Sequence, residues 1–169
     1  MDLNKANKTT AVESAVMVLH ELSTDSLILT RRNDQLRHHP GEISFPGGVR
    51  EEQDHSLYDT ALRELYEELN IDKERLMPVK ALEVERTLNG ILIYPWLATI
   101  EAIHPYSMNI QEVTAIVSVP FNLVKQASNY RDIRVERHGL HFKSCQFIPY
   151  EGIIWGATAR IMKQLIDYK

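Results

Sequence analysis

The chain has 169 residues, of which 44% are hydrophobic and 25% are charged, and its formal net charge is −4. This length and composition are those of one ordinary globular domain, which we expect to span residues 1–169. The negative balance argues against nonspecific binding of nucleic acid and against binding to an anionic membrane surface, because both favour basic patches.

Cysteine usage and the N-terminal sequence predict a cytoplasmic protein. Cys145 is the only cysteine, so neither an intrachain disulfide nor a cysteine-based zinc site is possible. Residues 1–10 are polar and lack the apolar run of a signal peptide, so we expect a flexible lead-in there. The longest apolar stretch, residues 91–100, is far too short to span a membrane.

The first part of the chain predicts short strands that lead into one amphipathic helix. Two strand-like segments flank a polar turn, and a polar loop, a short strand and a turn with two glycines follow. The predicted strands are Ala11–His20, Ser26–Arg31 and Glu42–Phe45. The helix has Asp54 or Ser56 as its predicted N-cap, and Asn70 follows its last turn in the left-handed conformation.

The second part predicts two hairpins and a terminal helix. Asn89-Gly90 is a strong hairpin signal, and His138-Gly139 is a second predicted turn. Pro95 indicates that its strand lies at an edge or is bulged there. Mixed strands with a central and a terminal helix predict an α+β fold built in layers. The predicted segments are strands Val79–Thr87, Ile91–Ile100, Glu112–Val119, Tyr130–Arg137 and Leu140–Ile148, a short helix Pro120–Lys125, and a helix from Ile153.

The amphipathic helix carries a cluster of carboxylates. At about 100° per residue, Leu65 and its apolar neighbours fall on one face, and Glu64, Glu67 and Glu68 fall on the opposite face. Side chains three and four residues apart on a helix are neighbours, so the three carboxylates repel one another. Oxygen ligands of this kind are what Mg²⁺ takes. This face is therefore either a metal site or a solvated acidic surface.

A glycine turn before the helix favours the metal site. Phe45-Pro46 leads into Gly47 and Gly48, which let the backbone turn sharply and approach a ligand closely. A glycine loop that leads into a carboxylate helix suits a phosphate substrate bridged by a metal ion.

With these features, the segment resembles the Nudix box of hydrolases that cut diphosphates linked to another moiety, G-x5-E-x7-R-E-U-x-E-E-x-G-U. Gly48 begins the match and Arg63 to Ile71 closes it. Asp54 replaces the first glutamate and lies one residue further from the arginine, and Asn70 replaces the final glycine. The resemblance implies an α/β/α sandwich with a mixed β-sheet.

A second, narrower resemblance covers the loop before the box. Nudix enzymes that act on coenzyme A carry an arginine, a glycine and Phe-Pro-Gly-Gly at fixed spacing, and Arg37, Gly41 and Phe45 match that spacing. The longer gap in the box is also similar to that subfamily. The likeness implies hydrolysis of coenzyme A, or a derivative, to 4′-phosphopantetheine and adenosine 3′,5′-bisphosphate.

The resemblance also implies roles for individual residues. The metal ion, Mg²⁺ or Mn²⁺, is expected on Glu64, Glu67 and Glu68, with the Gly48 carbonyl as a further ligand. Arg63 is expected to hold a carboxylate in place, with a surface ion pair as the alternative. The expected substrate-binding residues are Arg31, Arg37, Gly41, Phe45 and Gly47.

The sequence leaves two candidates for the general base. Glu112 begins a strand after a loop, and in many Nudix enzymes a glutamate outside the box supplies a metal ligand or the base. Glu64 is the other candidate, and a solvated loop carboxylate is the plain alternative for Glu112. Arg32 is a weaker candidate for a phosphate contact.

Two other functions stay open. One is a Nudix hydrolase of another nucleoside diphosphate derivative, such as ADP-ribose, a dinucleotide or a nucleotide sugar. The other is a non-catalytic module that senses a nucleotide, a class that usually lacks the box carboxylates retained here. The expected partner is a small nucleotide substrate, and the chain is expected to be a monomer or a homodimer.

Overall fold

The computed structural model describes residues 11–150 and 152–169, so the lead-in predicted over residues 1–10 lies outside it. The elements run in mixed order along the chain, with one long helix after four strands. The strands are β1 Glu13–Glu21, β2 Ser26–Arg32, β3 Ile43–Ser44, β4 Gly47–Val49, β5 Met77–Ala81, β6 Glu85–Arg86, β7 Leu92–Ile100, β8 Val113–Pro120, β9 Tyr130–Arg137, β10 Leu140–Phe147 and β11 Ile154–Trp155. The α-helices are α1 Leu57–Leu69, α2 Phe121–Val124 and α3 Gly156–Lys163.

The larger sheet has eight strands and is mixed. Its main path runs β3-β2-β1-β7-β5, and β4, β6 and β8 pair with β1, β7 and β2 respectively. β1 and β7 run parallel in register from Glu13 opposite Leu92 to Glu21 opposite Ile100, whereas the other described pairs of this sheet are antiparallel. A smaller antiparallel sheet has the order β11-β10-β9.

Strands β1 and β2 of the larger sheet are buried on both faces. Side chains alternate between the two faces of a strand, so Met17 of β1 packs toward α1, and Val18 packs toward α3 and the smaller sheet. α1 contributes Ala61, Leu65 and Leu69 to the first core, and α3 contributes Ala159, Ile161 and Met162 to the second. The expected α+β fold, an α/β/α sandwich with a mixed β-sheet, is confirmed.

α1 begins and ends as its sequence predicts. Ser56 is the N-cap, because its Oγ accepts a hydrogen bond from the Asp59 N–H at 3.1 Å. Asn70 closes the helix in the left-handed conformation at φ 54°, and its N–H donates to the Tyr66 carbonyl at 2.7 Å. Asp54, the alternative N-cap, has a different role described below. In the described part of the chain, no helix is long and apolar enough to cross a membrane.

Two predicted elements differ most from the structure. The single strand predicted over Val79–Thr87 is two short strands, β5 and β6, and Pro95 lies in the stretch of β7 between their partners. The terminal helix begins at Gly156 and not at Ile153, because Ile154 and Trp155 pair with β10 instead. The hairpin predicted at His138-Gly139 is confirmed.

Candidate active site

Three carboxylates from two distant parts of the chain meet at one place. Glu64 and Glu68 come from α1, and Glu112 comes from the turn that leads into β8. One ligand oxygen from each lies within 4.8 Å of the other two. Divalent cations such as Mg²⁺ and Mn²⁺ take carboxylate oxygens as ligands, so this donor set fits one such cation.

The Glu112 turn reaches the cluster because the chain before it docks on the C-terminal end of α1. The N–H of Ser107 donates to the Leu69 carbonyl, and the N–H of Asn109 donates to the Glu68 carbonyl, both at 2.9 Å. These carbonyls belong to the last turn of the helix, where carbonyls lack partners within the helix. The Asn109 side chain also donates to Glu112 Oε1 at 2.9 Å.

Glu68 is the most buried carboxylate of the cluster. It is 3% exposed, and its Oε2 atom has no hydrogen-bond partner among the described residues. Burial first, and then the negative charge of Glu64, raise the pKa of Glu68 to about 8, while the N–H of Gly47 acts in the opposite direction. A buried carboxylate with an unpartnered oxygen calls for a cation or a proton, so this observation supports the fit of a divalent ion.

The glycine turn lies directly against the cluster. A side chain at Gly48 would overlap the Glu64 carboxylate, and one at Gly47 would overlap the backbone of β1 at Ala15 and Val16. The sequence predicted that the glycines permit a close approach to a ligand, and the described approach is to a carboxylate. Burial raises the pKa of Glu64, and Arg63 opposes that rise.

Arg63 organises the acidic residues around the cluster. Its Nε and Nη2 atoms donate to the two oxygens of Asp54, and its Nη1 atom donates to Glu64 Oε1 at 2.9 Å and Glu67 Oε2 at 3.0 Å. Nη2 also donates to the Val49 carbonyl. The hydrogen bonds from Arg63 hold the pKa of Asp54 far below its ordinary value. The expectation that Arg63 holds a carboxylate in place agrees with this geometry.

Glu67 lies apart from the three-carboxylate cluster. Its side chain is 47% exposed and is bound by Arg63. The helical wheel placed Glu67 beside Glu64 and Glu68, but it could not show that Glu68 turns inward and that Glu112 joins from outside the helix. A metal contact by Glu67, and one by the Gly48 carbonyl, stay predictions.

The predicted substrate-binding residues occupy the loop before the glycine turn. Arg37 is exposed and has no ion-pair partner in the described ranges, and Arg31 lies 3.8 Å from Asp34. Gly41 adopts φ +69°, a conformation that favours glycine, and it packs against Asp34. Phe45 is buried in the hydrophobic core, so its side chain anchors the turn and is closed to a ligand in this conformation.

Two polar residues, Arg32 and Asn109, act on carboxylates of the cluster in ways that the sequence analysis did not predict. The guanidinium of Arg32 acts on Glu68 by lowering its pKa, and its buried Nε has no partner among the described residues. Asn109 had no predicted role, because no motif marks a residue that bonds to a carboxylate three positions later.

Sequence comparisons with known proteins identify the family of this chain. The sequence profile of the NUDIX domain matches residues 12–119. A protein of Photorhabdus laumondii described as an uncharacterized Nudix hydrolase, NudL, is 34% identical over 140 residues, which are 83% of this chain and 75% of that protein.

Two solved structures share the fold. The binary complex of the C. elegans Ap4A hydrolase has a TM-score of 0.54 and 19% identity, covering 66% of this chain and 82% of that one. The NUDIX domain of Shewanella oneidensis NrtR complexed with ADP ribose has a TM-score of 0.54 and 18% identity, covering 72% and 80%. The profile and the sequence relative, together with this shared fold, show that the chain belongs to the Nudix family and is a diphosphohydrolase that acts on a nucleoside diphosphate derivative.

Proposed function

We propose that the protein hydrolyses the diphosphate of coenzyme A, or of one of its derivatives, with Mg²⁺ or Mn²⁺ held by Glu64, Glu68 and Glu112. When bound, such a cation neutralises charge on the diphosphate and lowers the pKa of a bound water. The buried, unpartnered oxygen of Glu68 supports the cation site. The coenzyme A assignment is supported by Arg37, Gly41 and Phe45 at the spacing of the coenzyme A signature.

The position of the signature loop is the observation that carries the proposal. At the start of this loop, the Asn33 N–H donates to the Glu112 carbonyl at 2.8 Å. At its end, Phe45 is buried, and the Pro46 carbonyl accepts a hydrogen bond from the Met17 N–H at 2.8 Å. One end of the loop is thus attached to the Glu112 turn, and the other end is attached to β1, against which α1 packs. We therefore assign this loop to substrate binding beside the carboxylate cluster.

Arg32, the last residue of β2, and Arg37, within the loop, are the local cations of the proposed substrate site. The chain carries a net charge of −4, so an anionic substrate must be attracted by local cations. We assign Arg32 to the diphosphate, because its electrostatic effect reaches Glu68. We assign Arg37 to a phosphate further along the substrate, because its exposed guanidinium suits bidentate phosphate binding.

Arg63 and Glu112 complete the proposed machinery. Arg63 holds Glu64 in place through the 2.9 Å bond from Nη1. Glu112 accepts its hydrogen bond from the neutral amide of Asn109. We assign Glu112 to cation binding, and a base role is the alternative outcome of the magnesium titration in the Discussion.

A substrate panel tests this proposal. Purified protein is incubated with Mg²⁺ or Mn²⁺ and coenzyme A, ADP-ribose or a dinucleotide, and the products are separated by chromatography. The proposal predicts 4′-phosphopantetheine and adenosine 3′,5′-bisphosphate, with the highest kcat/KM for coenzyme A. The Glu68→Gln variant, purified identically, controls for contaminating hydrolases. A kcat/KM for ADP-ribose or the dinucleotide equal to or above that for coenzyme A would overturn the coenzyme A assignment and leave the hydrolase class standing.

A further inference from the structure

We infer that Asn109 is a positioning residue that sets the Glu112 carboxylate for cation binding. This inference rests on the proposed function, because it concerns the same cation site. It adds a residue outside the Nudix box and outside the coenzyme A signature. The hydrogen bonds of Asn109 join the turn between β7 and β8 to the end of α1 and to the Glu112 carboxylate.

Every polar group of Asn109 is engaged. Its backbone N–H donates to the Glu68 carbonyl at 2.9 Å, and its carbonyl accepts from the N–H groups of Glu112 and Val113 at 2.9 and 2.8 Å. Its side-chain Oδ1 accepts from the Gln111 N–H at 3.2 Å, and its Nδ2 donates to Glu112 Oε1 at 2.9 Å. Asn109 therefore connects the last turn of α1, which carries Glu68, to the carboxylate of Glu112.

The side-chain amide has one orientation that satisfies both partners. Its oxygen faces an N–H donor on Gln111, and its NH₂ group faces the acceptor on Glu112. A flipped amide would place oxygen against carboxylate and NH₂ against N–H, which removes both bonds. The donor is thus aimed at Glu112 by the turn itself. No charge is added to the cluster, because the amide is neutral.

This bond prepares Glu112 for a cation. A glutamate side chain loses rotamer freedom when it is fixed on a ligand, and a hydrogen bond made beforehand reduces that cost. The bond uses one lone pair of Oε1 and leaves the remaining lone pairs of the carboxylate available to a cation. Hydrogen-bond partners of metal ligands typically change metal affinity about 10-fold to 100-fold when they are removed.

Two asparagine variants, Asn109→Ala and Asn33→Ala, serve as the test and its matched control. Asn109→Ala removes only the two side-chain bonds, because the backbone bonds that fold the turn are kept. Asn33→Ala also removes two side-chain bonds, one from Nδ2 to the Ile110 carbonyl of the same turn at 2.8 Å and one from the Gln35 N–H to Oδ1 at 2.9 Å. Neither bond involves the Glu112 carboxylate. If Asn109 served only to stiffen the turn, both variants would change the site alike.

Binding of Mn²⁺, measured by the loss of the free-ion signal in electron paramagnetic resonance, tests the inference without any substrate. We expect Asn109→Ala to weaken Mn²⁺ binding about 10-fold and Asn33→Ala to change it less than about twofold. Glu112→Ala should weaken binding at least as much as Asn109→Ala. Adding Asn109→Ala to Glu112→Ala should cause no further loss, because the partner is already gone. Thermal unfolding of each variant verifies that the fold is retained.

Three results would overturn the inference. They are Mn²⁺ binding by Asn109→Ala equal to that of the parent, an equal loss in Asn33→Ala, and an undiminished effect of Asn109→Ala in the Glu112→Ala background. An error in the coenzyme A assignment would be recognised separately, because the parent protein would then bind Mn²⁺ without hydrolysing coenzyme A. With an active parent, Asn109→Ala should lower kcat with little change in KM, and excess Mn²⁺ should restore much of the rate.

Discussion

The guanidinium of Arg63 binds the carboxylate of Asp54 through two hydrogen bonds, Nε to Oδ1 at 3.0 Å and Nη2 to Oδ2 at 3.1 Å. The Thr60 hydroxyl and the Glu51 N–H also donate to Asp54. Asp54, which replaces the first glutamate of the Nudix box and lies one residue further from the arginine, therefore forms a doubly hydrogen-bonded ion pair with Arg63. Through Arg63, the pair fixes Glu64 and links the loop before α1 to the carboxylate cluster.

Replacement of Asp54 by alanine should destabilise the protein. The Asp54 side chain is 4% exposed and that of Arg63 is 16% exposed, so the variant leaves a partly buried guanidinium without its main partner. We expect the free energy of unfolding in urea to fall by about 3 kcal/mol. Glu85→Ala breaks a comparable pair with Arg160 whose side chains are 19% and 30% exposed, and should cost about 1 kcal/mol. Equal losses in the two variants would contradict the special role of the Asp54 pair.

Alanine at Gly47 should mainly lower stability, whereas alanine at Gly48 should mainly lower activity. A methyl group at Gly47 meets the backbone of β1, which cannot move aside, whereas one at Gly48 meets the end of the Glu64 side chain. Gly47→Ala should therefore lower the free energy of unfolding by about 1–3 kcal/mol. Gly48→Ala should displace Glu64 and lower kcat about 10²-fold, with a smaller effect on stability. Urea unfolding and steady-state kinetics of both variants decide this, and a reversed pattern would contradict it.

The burial of Glu68 should make the metal-free protein less stable at higher pH. The pKa of Glu68 is raised from an ordinary 4.5 to about 8 in the folded state. Between these values the folded state holds more protons than the unfolded state, so the free energy of unfolding falls as pH rises from about 5 to about 8. Glu68→Gln lacks this titration. We expect urea unfolding in the presence of a chelator to show that the free energy of unfolding of Glu68→Gln rises relative to that of the parent as pH rises. The same pH dependence of the free energy of unfolding in both proteins would contradict this prediction.

Glu112→Gln should lower kcat by about 10² or more at limiting Mg²⁺, with little change in KM for the nucleotide. Because we assign Glu112 to cation binding, raising the Mg²⁺ concentration should restore much of the rate. A loss that no Mg²⁺ concentration restores would instead identify Glu112 as the base. Turnover equal to the parent at all Mg²⁺ concentrations would exclude both roles, and Glu64 would be the next candidate for the base.

Much of the fold could be predicted from the sequence because helix caps and tight turns are determined by a few neighbouring residues. The N-cap at Ser56, the left-handed Asn70 and the His138-Gly139 hairpin all follow from the chemistry of a few neighbouring residues. Strand breaks were harder to predict. The division between β5 and β6 depends on pairing with β7, which is a property of the sheet and not of the segment.

The part of the site that lies within one helix could be predicted from the sequence, and the part that depends on contacts between distant segments could not. Periodicity grouped the glutamates of α1, but it could not show that Glu68 is buried while Glu67 is exposed. That difference arises because the glycine turn packs over one side of the acidic face. The meeting of Glu112 with Glu64 and Glu68 depends on a loop that docks on the end of α1. No spacing within one segment encodes such a contact.

The position of a bound cation tests the central claim most directly. Crystals soaked in Mn²⁺ and measured at a wavelength where manganese scatters anomalously locate the ion without reference to activity. We predict an anomalous peak between Glu64, Glu68 and Glu112, with one oxygen of each at about 2.1 Å. A peak bound by Glu67 on the exposed side of α1 and remote from Glu112 would contradict the account. So would the absence of a peak at this cluster at Mn²⁺ concentrations that support hydrolysis.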